Sequence, residues 1–188
     1  MTVRARTLLI FAHPALERAR LNPAMLAAVQ DLPDLSVRDL YELYPDFAVD
    51  VPAEQRALME HDLIVLQFPF YWYSTPSLLK EWLDLVFLHG FAYGDRGRCL
   101  QGKTLLCAVS TGGPGPSYAA DGHNLHSLDD YLLPWSQTAA LCRMRWAPPF
   151  AVHAAALIDA DELARETGRY RDHLVALATA APRAEVPA

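Results

Sequence analysis

Cysteine is scarce in this sequence. Its 188 residues hold three, Cys99, Cys107 and Cys142, and none belongs to a Cys-x-x-Cys pair. An odd, scattered set argues against a disulfide framework or a zinc site and suits a reducing compartment. Cys107 sits within the apolar run 105–109 (LLCAV), where a thiol behaves as a small hydrophobe. Basic runs are missing as well. The chain carries 16 Lys and Arg against 22 Asp and Glu, a formal charge of -6, with no stripe to neutralise a nucleic-acid backbone. Arg4, Arg6, Arg18 and Arg20 are scattered near the start and suit a single phosphate group better than a polymer. No segment approaches the roughly 20 apolar residues that span a bilayer. The apolar stretch behind Arg4 and Arg6 stops at His13-Pro14, too short for the core of a signal peptide. The nine glycines form no Gly-x-Gly-x-x-Gly fingerprint. The expectation is a soluble, cytoplasmic protein with no nucleic-acid partner and no direct membrane insertion.

What the sequence does have is apolar mass: 52% hydrophobic residues against 20% charged, enough for a sizeable core. No linker or repeat divides it, so residues 1–180 read as one domain and 181–188 as a frayed tail. Continuous apolar runs at 7–11 (TLLIF), 63–66 (LIVL) and 104–109 (TLLCAV) mark strands buried on both faces. The stretch 36–41 alternates and carries Arg38 and Asp39, as an edge strand would, and 145–150 supplies a fifth short strand. Between them lie helical segments: one N-capped by Asn22 with Pro23 at its first position, one over 52–60, and one capped by Ser74 or Thr75 with Pro76 just inside. Two more start near Ser127 and span 161–177. Strand and helix alternate, which predicts a parallel sheet covered on both faces, with ligands bound beyond the carboxyl ends of the strands.

Three chemically unusual loops follow apolar strands. The first offers His13, Arg18, Arg20 and Asn22 before a helix start, a setting that suits an anion and equally an ordinary connection. The second is Phe70-Tyr71-Trp72-Tyr73. Neighbours in an extended chain point opposite ways, so some of these rings must line a pocket or an interface. The third, Ser110-Thr111-Gly112-Gly113, lets a ligand approach backbone amides closely. Beyond it lie Tyr118, His123, Asn124 and His126, candidates for proton exchange. His123 and His126 lack the further partners a metal would need, so no metal site is expected.

In order along the chain stand AHP at 12–14, LYPDF at 43–47, WYSTPSLLKEWLDLVF at 72–87, HGFAYG at 89–94, LQGK at 100–103, STGG at 110–113 and WAPPF at 146–150. With these the chain resembles the flavodoxin-like NAD(P)H:quinone oxidoreductases. Within them it is similar to the short bacterial ancillary subunits of glutathione-regulated potassium-efflux systems. The resemblance implies an α/β flavodoxin-like fold with a five-stranded parallel sheet of order 2-1-3-4-5 and helices on both faces. It implies bound FMN, with FAD, found in generally longer relatives, as the alternative. The cofactor's phosphate would lie at His13 and Arg18-Ala19-Arg20-Leu21-Asn22. Its ring would lie against Phe70, Tyr71, Trp72 and Tyr73, and its pyrimidine edge at Ser110, Thr111, Gly112 and Gly113.

Ala19 stands where relatives usually have a hydroxyl residue. The lost hydrogen bond to phosphate would cost about 1.5–3 kcal/mol, which Arg18 or Arg20 could offset. The implied activity is a two-electron ping-pong transfer from NAD(P)H through the flavin to a quinone, with Tyr118 and His123 as the catalytic proton relay and Asn124 competing for the second position. A homodimer is implied, its apolar face drawn from the aromatic loop and the helix of Trp82 and Leu85. Two other readings stand beside it: a regulatory subunit held at the inner face of the cell membrane by a potassium antiporter, and a flavin reductase for another acceptor, such as an azo or nitro compound.

Overall fold

The computed structural model describes residues 4–181. Strands β1 (Thr7–Phe11), β2 (Leu35–Asp39), β3 (Leu63–Pro69), β4 (Thr104–Ser110), β5 (Arg145–Trp146) and β6 (Phe150–Val152) form one parallel sheet in the order β2-β1-β3-β4-β5, with β6 also pairing to β4. Every residue of β1, β3 and β4 is buried, as their unbroken apolar runs predict for strands covered on both faces. Successive side chains divide between two cores. Leu8, Ile10, Ile64, Leu66, Leu105 and Cys107 enter one, and Leu9, Phe11, Val65, Leu106 and Ala108 the other.

Helices α1 (Leu21–Ala27), α2 (Leu40–Leu43), α3 (Val51–Glu60), α4 (Ser77–Val86), α5 (Leu128–Tyr131), α6 (Leu133–Leu141) and α7 (Ala160–Ala180) cover the two faces. Met25 of α1 and Tyr170 and Leu174 of α7 close the second core. Leu58 of α3, Trp82 of α4 and Trp135 of α6 close the first.

Several boundaries depart from the sequence reading, each for a local reason. The edge strand ends at Asp39 because that carboxylate accepts the amides of Tyr41 and Glu42 and starts α2. The third strand runs on through Phe68 to Pro69, so the aromatic loop begins only at Phe70. The predicted fifth strand is two pieces, β5 and β6, split around Pro148 and Pro149, which have no amide hydrogen to give the ladder. Asn22 does not cap α1; Arg20 holds that place without a side-chain bond, and Asn22 lies within the helix, buried. Neither Ser74 nor Thr75 caps α4, where Pro76 stands. Ser127 does cap the helix after it, reciprocally with Asp130. The last helix extends to Ala180. The expected frayed tail lies outside the described residues from 182 onward, and Ala181, its first residue, is buried. Trp82 is fully buried within the subunit, so it is not available to an interface.

A buried carboxylate fastens the edge of the sheet. Glu54 on α3, with no exposed surface, accepts the Arg38 Nε–H of β2 at 2.6 Å and the Tyr44 hydroxyl at 2.5 Å. Its other oxygen accepts the Trp82 indole N–H of α4 at 2.9 Å. Removing one member of such a cluster strands the others in an apolar setting. Glu54→Ala is expected to lower the free energy of unfolding by about 3–5 kcal/mol, read from urea denaturation; a loss below about 1 kcal/mol contradicts this role.

Candidate functional site

The carboxyl ends of β1, β3 and β4 converge at the point where strand order reverses, and the three singled-out loops leave from there. Beneath them lies a buried polar network. Gln67, the one polar side chain of β3, donates through Nε2 to the Asn22 carbonyl at 2.9 Å and accepts the Tyr170 hydroxyl at 3.0 Å. Asn22 in turn bonds through its carboxamide to Ser110 Oγ at 2.7 Å, joining α1 to the end of β4. The other end of that buried carboxamide has no partner among the described residues.

Above the network is a cavity of about 610 Å³, bordered by His13, Arg18, Arg20, Asn22, Tyr71 and Gly112, with Ala19, Leu21, Phe70, Ser110 and Thr111 completing the wall. His13 is buried, and the Ala15 amide donates to its Nδ1 at 3.2 Å. That bond makes Nδ1 an acceptor and leaves the proton on Nε2. Burial lowers the His13 pKa, opposed by Glu17, so the ring is a neutral donor at pH 7. Positive charge therefore comes from the arginines. Arg20 donates to the Ile158 carbonyl at 3.3 Å, and Arg18 pairs loosely with Glu17 at the surface.

The aromatic loop is not extended, contrary to the premise of the sequence reading. The Ser74 amide donates to the Tyr71 carbonyl at 3.0 Å, and the two residues between, Trp72 and Tyr73, have φ of 50° and 60°. This is the dihedral signature of a turn usually built from Asn-Gly. It drives Phe70 inward against Tyr118 and Tyr131, with centroids at 6.0 and 5.6 Å, and leaves Trp72 92% exposed.

Around the turn lies a second cavity of about 370 Å³, which shares Phe70 and Gly112 with the first and adds Trp72, Tyr73, Gly113, Tyr118, His123 and Asn124. Asn124 accepts the Tyr73 hydroxyl at 3.3 Å. Its amide nitrogen and the Tyr118 hydroxyl both flank Gly113, 3.9 and 3.8 Å from where a Cβ would stand. Asn124 and Tyr118 thus meet the same glycine, and His123 lines the same cavity with no hydrogen-bond partner among the described residues. His126 turns away to meet Tyr131 edge-on. Among the described residues no cluster of three or more His, Cys, Asp or Glu could hold a metal ion.

Gln67, Tyr170, His153, Ala155 and Ala156 also shape this region and were not singled out from sequence. Gln67 alone left a signal, as a glutamine inside an apolar run. His153 Nδ1 lies 2.9 Å from Thr111 Oγ1, and Ala155 and Ala156 line the first cavity.

The sequence pattern of the flavodoxin-like fold family matches residues 5–174. The chain is 43% identical to the ancillary protein KefG of the glutathione-regulated potassium-efflux system of Pectobacterium atrosepticum, over 93% of this chain and 95% of the relative. It is similar to general stress protein 14 of Treponema denticola, solved in complex with FMN. That pair has 39% identity and a TM-score of 0.86, covering 92% of this chain and 99% of the other. It is also similar to an NADPH-quinone reductase from P. pentosaceus, with 33% identity and a TM-score of 0.82 over 89% and 96% of the two chains.

Burial holds His13, His153 and His173 below the ordinary histidine value of 6.5. As pH falls through that value, the unfolded chain takes up protons that the folded chain refuses. Stability is therefore complete above about pH 6.5 and declines below it. The urea midpoint should drop between pH 7.5 and pH 6, and His13→Gln should reduce the drop; an unchanged midpoint contradicts the assignment.

Proposed function

The chain belongs to the flavodoxin-like fold family, and from that premise we propose that it is an FMN-dependent NAD(P)H oxidoreductase with a quinone as its electron acceptor. The observation that carries this reading is the pair of adjoining cavities. One is edged by His13, Arg18 and Arg20, the other is walled by aromatic rings, and Phe70 and Gly112 belong to both. A phosphate-bearing planar cofactor suits the first, and a second planar reactant stacked on it suits the other. The FMN bound by the Treponema denticola relative and the NADPH and quinone in the name of the P. pentosaceus reductase support the same assignment.

Two features of the site fit FMN. The unpartnered end of the Asn22 carboxamide belongs to a residue of the cavity wall. With the amide turned so that it accepts the Ser110 hydroxyl proton, its NH₂ is a free donor for phosphate. A Cβ built on Gly112 meets nothing within 4 Å, so the space beside that glycine is an open cradle.

When bound, FMN would supply the redox chemistry, accepting two electrons from NAD(P)H and passing them to the quinone in a ping-pong cycle. The protein's part is to bind and to place protons. His13 Nε2–H, Asn22 and the two arginines hold the phosphate. Tyr71, Trp72 and Tyr73 border the ring. The amides of Gly112 and Gly113 oppose negative charge on its pyrimidine edge, by the logic of an oxyanion hole. The Tyr118 hydroxyl, with Asn124 beside it and His123 in the same cavity, holds a proton for the acceptor oxygen. The functional unit is a homodimer. Tyr71, Trp72, Tyr73 and Leu125 expose apolar surface, Trp72 and Tyr73 on the wall of the second cavity, and a second copy would cover it.

The similarity to KefG carries a second reading, in which the protein docks on a potassium antiporter and redox activity is secondary. No helix among the described residues is long and apolar enough to cross a membrane, so attachment would run through that partner.

FMN-loaded, desalted protein should keep a visible flavin band that bleaches at about one NADPH per flavin under anaerobic titration. Failure to retain flavin sinks the reading, and retention without bleaching by NADPH or NADH shifts it to the antiporter role. Gly112→Val, whose side chain enters open space in the free protein, should leave the free energy of unfolding within about 0.5 kcal/mol of the parent. The same variant should weaken FMN binding at least about tenfold, a loss of about 1.4 kcal/mol, in fluorescence titration. Unchanged affinity would remove Gly112 from the site.

A further inference from the structure

We propose that His153, just beyond β6, is a positioning residue for the glycine loop after β4. Acting through the Thr111 hydroxyl, it fixes the direction in which the Gly112 and Gly113 amides face the cavity. The proposal rests on the FMN reading only for what those amides bind.

The hydrogen-bond direction follows from counting protons. Thr111 Oγ1 lies 2.8 Å from the Gly113 carbonyl and 2.9 Å from His153 Nδ1. A carbonyl only accepts, so the single hydroxyl proton goes to Gly113. The threonine oxygen must then accept from the histidine, which places a proton on Nδ1. The chain of bonds runs one way, from His153 to Thr111 to Gly113.

The backbone around it forms a clamp. Thr111 N–H donates to the Val152 carbonyl at 2.9 Å, Ala154 N–H to Gly113 at 3.0 Å, and Ala155 N–H to Thr111 at 2.9 Å. Ala154 has φ of 54°, a left-handed reversal in the segment that carries His153. The imidazole is packed from the other side. Its ring lies 5.4 Å from that of Tyr118, tilted by 31°, and a Cβ on Gly115 would come within 3.3 Å of its Cδ2. The ring is thus wedged between the segment it leaves and the turn carrying Tyr118.

The reason such a device is needed lies in the two glycines. Glycine has the widest backbone freedom of any residue, and the amides of Gly112 and Gly113 donate to no acceptor among the described residues. Their direction is not set by bonds of their own. It is set by the carbonyls that flank them: that of Thr111, in the same peptide plane as the Gly112 N–H, takes the Ala155 amide, and that of Gly113 takes both the Ala154 amide and the Thr111 hydroxyl. The hydroxyl has a fixed orientation only while its oxygen is engaged by His153.

The test compares His153→Phe, which keeps ring bulk and loses the donor, with His153→Asn, whose side-chain NH₂ stands near the place of Nδ1. In flavin-free protein, backbone order parameters of Gly112 and Gly113 should fall from about 0.85 to below about 0.6 in His153→Phe and hold near the parent value in His153→Asn. FMN dissociation constants should rise at least about tenfold in His153→Phe and stay within about threefold in His153→Asn. Thr111→Val should match His153→Phe, and the double variant should be no worse than either, because both break one chain. Thr111→Val carries the test by itself should His153→Phe fail to fold.

Unchanged order parameters and affinity in folded His153→Phe overturn the proposal. Equal loss in His153→Asn overturns it too, since the ring would then act by packing alone. Failure of the parent protein to bind FMN would overturn the functional reading instead, and the order parameters would still decide the role of His153.

Discussion

One buried glutamine holds the site together. Gln67 interrupts an apolar strand where water is absent, so both ends of its carboxamide need protein partners. It finds them in the Asn22 carbonyl and the Tyr170 hydroxyl, and Asn22 reaches on to Ser110. Helix α1, helix α7 and the ends of β3 and β4 are thereby tied at one point. The loop that carries the arginines and the loop that carries the glycines are hinged on the same buried bonds. Their separation, and so the width of the first cavity, follows from that network.

Around this anchor the protein accepts local penalties at the site. Trp72 and Tyr73 take left-handed φ without being glycine, at about 1–3 kcal/mol each. One end of the Asn22 carboxamide is unsatisfied, and Trp72 is left almost wholly in solvent. The sheet below tolerates this because β1, β3 and β4 are buried along their full lengths and the edge is fastened by Glu54, Arg38, Tyr44 and Trp82. Left-handed φ at Asp34 and Arg143, just before β2 and β5, belongs to connections at the opposite end of the sheet, whereas at Trp72 and Tyr73 it shapes the wall of the second cavity.

Much of the fold was legible in particular residues. TLLIF gave β1 to the residue, because a strand covered on both faces has no polar side to blur its limits. The edge strand was harder: Asp39 fits an alternating strand equally well as its own terminating cap, and only its bonds to Tyr41 and Glu42 decide. Asn22 misled for a related reason. Asn followed by Pro is a sound helix start by local rules, yet a distant partner, Ser110, drew the side chain into the interior and moved the helix start forward. Within the site, residues adjacent to strand ends were legible from their loops, whereas His153 and Tyr170 act from far along the chain and leave no local pattern.

The sequence by itself determined the parallel sheet, its order once the resemblance was seen, and the three loops that leave its carboxyl ends. Continuous apolar runs and their interruption are read one residue after another. The tertiary structure alone decided which way side chains face inside those loops. It sent Phe70 inward and Trp72 outward, brought Tyr118 and Asn124 to the same glycine, and brought His153 over Thr111. The physical reason is that direction in a non-repetitive segment depends on single left-handed residues and on hydrogen-bond partners dozens of positions away, which no periodicity along the chain encodes.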